Sequence, residues 1–252
     1  MAQISKKAKK ILIVLGLLTI AVIGLTLAYY SGQEEFENEF HVKEPGVAIY
    51  EKFNPTDWWV PGEEKSKQAW FTNTGEMDML LRFKITPEWA EKPKDKDGNV
   101  LPDEKIKPVD EVITLYWKDS TGGTPIVLPK ASEDNPVIMP EEGSGFDFVG
   151  IYDRTEKTTY YYYKKVLKAK GSSQSSTQHV LESVKFSENL SNDGHKNSDY
   201  SNVRIDLTIA GETVLVDERA VEEQWPGVTV SFTKSSDGAI SEVNWNRDSD
   251  GE

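Results

Sequence analysis

A period of two restricts this chain more than any other feature. In "EMDMLLRFKIT" (76–86), Met77, Met79, Leu81, Phe83 and Ile85 fall on one face, while Asp78, Arg82 and Lys84 fall on the other. "NVRIDLTIAG" (202–211) repeats the pattern, with Val203, Ile205, Leu207 and Ile209 set against Arg204, Asp206 and Thr208. Successive side chains of a strand point to opposite faces, so this alternation specifies a strand with one buried face and not a helix of period 3.6. Further strands are expected at 46–53, where Val47, Ile49 and Phe53 share a side, and at 67–73, 112–118, 158–168, 179–186, 213–216 and 228–232. The clear helical candidate is short: "DERAVEEQW" (217–225), stopped by Pro226-Gly227. Strands without intervening helices imply an all-β fold, antiparallel sheets stacked as a β-sandwich, with this one short helix near the C-terminus.

Between the strands lie punctuated stretches. "PEWAEKPKDKDGNVLPDEKIKP" (87–108) is charged and Pro-rich and reads as an exposed excursion. Residues 170–178 and 191–202 read as polar turns, and 247–252 as a frayed tail. No internal repeat or composition break divides 46–246, so one sandwich domain is expected there. A hydrophobic fraction of 37%, with seven Trp and ten Tyr, suffices for a packed core. The absence of cysteine excludes disulfides, thiolate metal clusters and a thiol nucleophile.

Charge narrows the partners. The formal net charge is −13; residues 1–28 hold four lysines and no acid, so without them 25 bases face 42 acids. Such a surface repels nucleic acid and anionic lipid and suits extracellular solubility. The four lysines belong to "SKKAKK", which precedes the apolar run "ILIVLGLLTIAVIGLTLA". A basic region followed by an apolar one is a signal peptide to be cleaved, or, at about 18 apolar residues, a retained transmembrane helix acting as membrane anchor. Thr26 and Ala28 supply the small residues that a signal peptidase accepts, which places the cut before Tyr29. Contact with the membrane is then expected only through residues 1–28.

Beyond the cut lies an arm, residues 29–45, which itself alternates. Phe36, Asn38, Phe40 and Val42 take one face, and Glu35, Glu37, Glu39 and His41 the other. Such an amphipathic strand is either the first strand of its own sandwich or a donor strand that completes a neighbour's sheet.

Candidate chemistry is sparse. The histidines stand far apart, at 41, 179 and 195, and no His-Glu-x-x-His helix places two imidazoles beside a base. "GSGFDF" (143–148) is not a Gly-x-Ser-x-Gly elbow. "DKDGN" (95–99) misses EF-hand spacing and reads as a hairpin turn with Asp-Gly at its apex. "YYYY" (160–163) is expected to divide its rings between core and surface, and one of Trp58 and Trp59 to plug the sandwich end. Arg82, on an outward strand face, is expected to pair with a neighbouring acid. No catalytic residue, metal or cofactor is assigned.

Three segments carry a resemblance. "TLAYYSGQEEFENEF" is similar to the region cut by SipW-type signal peptidases, at Thr26, Ala28, Tyr29, Tyr30, Ser31, Asn38 and Phe40, with Gly32 where an Asp is common. "NPTDWWVPGEEKSKQAWFTNTGEMDMLLRFKI" (54–85) resembles a stretch of the same proteins at Trp59, Pro61, Gly62, Lys67, Asn73, Gly75 and Arg82. "YYYYKKVLKAKGSSQSSTQHVLESVKF" (160–186) resembles their aromatic-Lys-Lys strand and following turn. On these positions the chain resembles the TasA/camelysin family of Gram-positive bacteria. That resemblance implies a jelly-roll-like sandwich, secretion to the cell surface or matrix, and self-assembly into biofilm-matrix fibres. It also implies as partners a SipW-type signal peptidase and a minor fibre or anchor protein. The camelysin branch brings an alternative, a secreted metallo-endopeptidase; a monomeric cell-surface binding module is the third reading.

Overall fold

The computed structural model describes residues 46–52, 60–95, 97–117, 126–141, 144–188 and 203–248, without the Lys105 side chain. The chain forms a jelly-roll-like antiparallel β-sandwich. One sheet, A, runs in the order β1 (Val47–Lys52), β2 (Glu64–Asn73), β9 (Leu181–Phe186), β4 (Ile113–Trp117), β5 (Ile126–Val127). The other, B, runs β10 (Arg204–Leu215), β3 (Met79–Glu91), β8 (Thr158–Tyr163), β7 (Phe148–Asp153), β6 (Val137–Ile138). Every pairing is antiparallel, and the chain passes repeatedly from one sheet to the other.

The alternation at 76–86 and 202–211 becomes β3 and β10, paired in register from Trp89↔Ile205 to Met79↔Leu215. Their inward residues Leu81, Phe83, Ile85 and Ile209 meet Ala69 and Phe71 of β2, Leu115 and Trp117 of β4, and Leu181 and Val184 of β9. The rings interlock: Phe83 lies 5.4 Å from Phe71, 5.0 Å from Tyr161 and, edge-on at 89°, 5.2 Å from Phe148. Aromatic pairs at such separations contribute about 0.5–1.5 kcal/mol each beyond the area they bury. The sheets approach so closely at Gly211 that a Cβ there would stand 2.2 Å from the Phe71 ring, so this strand position admits no side chain without movement.

Sheet B has a second core on its other face. Here α2 (Glu218–Gln224) and the hairpin β11 (Val228–Lys234)–β12 (Ile240–Arg247) form a roof. Val221, Trp225, Val228, Val243 and Trp245 of the roof cover Leu80, Val149, Ile151, Tyr160, Tyr162 and Val214. The helix follows its expectation: Asp217 caps it by accepting from the Arg219 and Ala220 N–H groups, and Gly227 beyond it takes φ +84°. The tyrosine run is therefore divided between two cores, Tyr161 and Tyr163 inside the sandwich, Tyr160 and Tyr162 beneath the roof, and not between core and surface.

Other boundaries are corrected. β3 continues to Glu91, into the stretch read as an exposed excursion; β8 pairs with it at Arg82 and Phe83, so the missing N–H of Pro87 costs the sheet little there. The rest of that stretch is anchored by buried Leu101, a 3₁₀ turn at Asp103–Lys105 and α1 (Val109–Val112). The strands expected at 202–211 and 213–216 are met by one continuous strand, Arg204–Leu215, β8 stops at Tyr163, and Arg247, assigned to the tail, ends β12. Strands β5, β6, β7 and β12 fall where none is expected from alternation. "DKDGN" is a hairpin turn, closed by the Lys94↔Val100 bridge with Gly98 at φ +84°. Trp58 and Trp59 lie outside the described residues.

Candidate functional site

Each sheet has two edges, and the two sides of the sandwich are finished differently. On one side β5 runs into β6 through residues 128–136, which bond to both sheets. Leu128 N–H donates to Leu115 O in sheet A at 2.8 Å, while the Tyr161 hydroxyl donates to Pro129 O at 2.9 Å and Thr159 Oγ1 to Ala131 O at 3.0 Å. That side is closed. On the other side β1 and β10 lie beside each other, each hydrogen-bonded along one edge only among the described residues.

The open side exposes material that a sandwich normally covers. Ile49 stands directly opposite Phe71 and shares its inward face, yet it is 36% exposed. Val47, Ile205 and Leu207 pack on the core only half-buried. The β1 edge carries no charge from Val47 to Tyr50. The β10 edge is guarded: Arg204 ion-pairs with Asp206 at 3.4 Å and with Glu91 at 3.9 Å, Glu212 follows, and a register shift falls between Arg204 and Ile205. Charges and bulges are the devices that keep edge strands from pairing with other chains, so β1 is the less protected edge.

The positions of the expected motif fall at structural junctions. Lys67, 9% exposed, ion-pairs with Glu51 at 3.0 Å and so ties β2 to β1. Asn73, 1% exposed, donates to Met77 O at 2.7 Å and Leu167 O at 3.2 Å, and its Oδ1 accepts from Gly75 N–H at 2.9 Å. One amide thereby fixes the turn between β2 and β3 and fastens it to the segment after β8. Among the described residues no buried side-chain N or O lacks a partner.

Arg82 finds its acid, Glu212, directly across on β10, with Nε and Nη2 donating at 2.9 and 2.7 Å. Its Nη1 donates to the Tyr162 hydroxyl at 3.2 Å, and the guanidinium lies 4.1 Å from the Tyr160 ring and 4.9 Å from the Trp225 ring. The face is not the open one that the sequence suggests. Burial alone would lower the guanidinium's pKa, but Tyr162 and Glu212 outweigh it and hold it above the usual value. Thr26, Ala28, Tyr29, Phe36, Asn38, Phe40, Val42 and Trp59 lie outside the described residues. So do His41 and His195; His179 faces Glu182 Oε2 at 2.8 Å and packs 5.4 Å from Trp70. Among the described residues no three His, Cys, Asp or Glu converge as metal ligands, and no helix is long and apolar enough to cross a membrane.

Sequence reasoning missed the contrast between the sandwich's two sides, because closure depends on which strands end up at the edges. A signal was present in "VAIY" (47–50), an apolar run in a strand whose neighbours all alternate with charge. No family model matches the chain, and no curated protein matches it.

Proposed function

We propose that this chain is an exported structural protein whose N-terminal arm, freed by a SipW-type signal peptidase, adds as a strand to the open side of a second copy and so builds an extracellular or biofilm-matrix fibre. The observation that carries the reading is the uncharged β1 edge, with Ile49 facing inward and still more than a third exposed. An added strand supplies main-chain hydrogen bonds to that edge and covers the half-buried Val47, Ile205 and Leu207, and the alternate side chains of the arm set the register. Fully extended, residues 29–45 reach about 55 Å at roughly 3.3 Å per residue, enough to leave one sandwich and lie along the next. Head-to-tail contacts of this kind do not close on themselves and generate filaments. The resemblance at the cleavage region and at Lys67, Asn73, Gly75 and Arg82 supports the same reading.

Electron microscopy of protein processed at Tyr29 tests it. Filaments are expected from that form, and none from protein lacking residues 29–42. Ile49→Lys, which places a charge on the open edge, is expected to shorten or abolish them. Filaments that persist without the arm refute strand donation. Chelator-sensitive casein turnover by monomeric protein supports the metallo-endopeptidase instead.

A further inference from the structure

The inward row of β1 is interrupted once. Val47, Ile49 and Glu51 stand opposite Asn73, Phe71 and Ala69 of β2 and so share the inward face, but the third of them is a carboxylate. Glu51 ion-pairs with Lys67 at 3.0 Å, which puts a polar rung at one end of the open edge and apolar rungs at the other. On the outward face of the same strand the order is Ala48, Tyr50, Lys52, with Tyr50 stacked on Trp70 at 5.8 Å. The arm carries a matching interruption. Its apolar row, Phe36, Asn38, Phe40, Val42, is broken by one amide, and its other row, Glu35, Glu37 and Glu39, is acidic up to His41. The chain is tied down directly after the arm: Thr74 N–H donates to Gly46 O at 3.0 Å, and a Cβ on Gly46 would stand 2.6 Å from Thr74 Oγ1.

We infer that the arm of one copy lies antiparallel to β1 of the next in a single register, Val42 opposite Val47 and Phe40 opposite Ile49, and that Asn38, opposite Glu51, sets it. The register rests on the strand donation proposed above and adds its direction and its determinant. Residues directly opposite each other in a sheet share a face, so two interrupted rows must meet polar to polar. In this register they do. Valine meets valine, phenylalanine meets isoleucine, and the Asn38 amide meets a carboxylate that can accept a second donor beside Lys67. Outside, Glu37 comes opposite Lys52, a favourable cross-strand charge pair. A slip of two residues sets Asn38 against Ile49 or Phe40 against Glu51. The best parallel arrangement, Phe40 at Val47 and Val42 at Ile49, sets Glu44 against Glu51. A lone amide in an apolar seam fixes register because displacement leaves it against apolar neighbours. The partner is a second copy and not the same chain. A return onto its own β1 would have to reverse within residues 43–46, where Gly46 is held to Thr74 and Glu44, preceding Pro45, favours extended backbone.

The chain has no cysteine, so introduced pairs report the register directly. Directly opposite residues suit a disulfide, whose Cα atoms lie about 4.4–6.8 Å apart, and residues slipped by two do not. Protein processed at Tyr29 and carrying Glu39→Cys with Tyr50→Cys is expected to give, on mild oxidation, a ladder of covalent multimers in non-reducing electrophoresis. Glu39→Cys with Ala48→Cys, or with Lys52→Cys, is expected to give about tenfold less. Asn38→Leu is expected to keep the filaments and spread the cross-links to the slipped pairs, which a merely structural role of Asn38 would not do. Glu37→Lys is expected to raise the concentration needed for filaments about fivefold, the scale of one cross-strand charge pair, and Lys52→Glu in the same chain to restore it. A ladder confined to a slipped pair, filaments with no link at any pair, or links unmoved by Asn38→Leu overturns the register while strand donation stands. An internal disulfide in monomers, or neither filaments nor links in any variant, overturns strand donation itself.

Discussion

The outer faces of the two sheets start from similar sequence and end in opposite surroundings. On sheet B, Leu80, Tyr160, Tyr162 and Val214 lie beneath the roof of α2, β11 and β12, and Arg82 sits among them, ion-paired with Glu212 and donating to the Tyr162 hydroxyl. On sheet A, the corresponding face keeps Tyr50 stacked on Trp70 at 5.8 Å, Trp70 beside His179, and Gln68 donating to Glu182 at 2.8 Å. No roof covers it among the described residues, and Tyr50 remains 46% exposed. Alternation therefore states which side chains share a face; it does not state whether the second face is wet. A cation on a face that becomes covered must bring its own counter-charge, and Arg82 does so through Glu212, its cross-strand neighbour.

Removing the roof's largest contact breaks the comparison most directly. Trp225 is 2% exposed, lies 5.8 Å from Tyr162 and 5.9 Å from Trp245, and covers the Arg82 guanidinium. Trp225→Ala is expected to destabilise the fold by about 3–5 kcal/mol, read as a fall in the denaturant midpoint. A loss below that of an exposed substitution would mean that the roof is an ornament on sheet B and the two faces are equivalent.

Alkaline pH probes the same asymmetry without mutation. Burial raises the Tyr162 pKa to about 12, against the opposing pull of Arg82, and burial with Asp147 raises that of Tyr163 to about 12; Tyr161 is pushed higher still. A phenol whose folded-state pKa exceeds its unfolded value near 10 favours the folded protein below pH 10. That contribution is lost as pH rises from 10 towards 12. Tyrosinate absorbance and circular dichroism are expected to change together in that window. Ionisation of every tyrosine near pH 10 with the fold intact would show that these rings are not shielded.

Between the sheets the expected effect is smaller but sharply placed. Gly211→Ala puts a Cβ 2.2 Å from the Phe71 ring, and overpacking of this kind costs about 1–3 kcal/mol. Phe71→Leu in the same chain is expected to recover part of the loss, because it removes the ring that the new methyl meets. Additive losses in the double variant would place the strain elsewhere.

Much of this architecture was legible in the residues themselves. Period two located β3 and β10, the segment 217–225 with its Pro226-Gly227 stop located α2, and Arg82 was read correctly as the partner of an acid. β7 was not legible because "FVGIYD" is buried on both faces, so it lacks the polar half of an alternating pattern. β12 shows Val243 and Trp245 two apart after a Ser-Asp-Gly turn, a hairpin signal that the surrounding polar residues mask. The roof was illegible for another reason: its contacts join residues 80–82 to residues 221–245, and no local pattern encodes a partner that distant. The openness of β1 is of the same kind, a consequence of strand order and not of its own residues.

The gentlest prediction sharpens the comparison from the wet side. Trp70 lies on the outer face of sheet A, where its ring meets Tyr50 and His179 and no second layer covers it among the described residues. Cross-strand aromatic pairs on such faces contribute about 0.2–1 kcal/mol, so Trp70→Thr, which keeps a strand-favouring residue, is expected to cost no more than about 1 kcal/mol. The same replacement in the roof, at Trp245, removes a ring that is 1% exposed and whose Nε1 donates to Tyr163 O at 2.8 Å. Its cost should be several-fold greater, since the lost burial is compounded by an unsatisfied carbonyl. Equal midpoints for the two tryptophan variants would mean that sheet A's outer face is covered after all, and the segment or partner covering it would then be the thing to find.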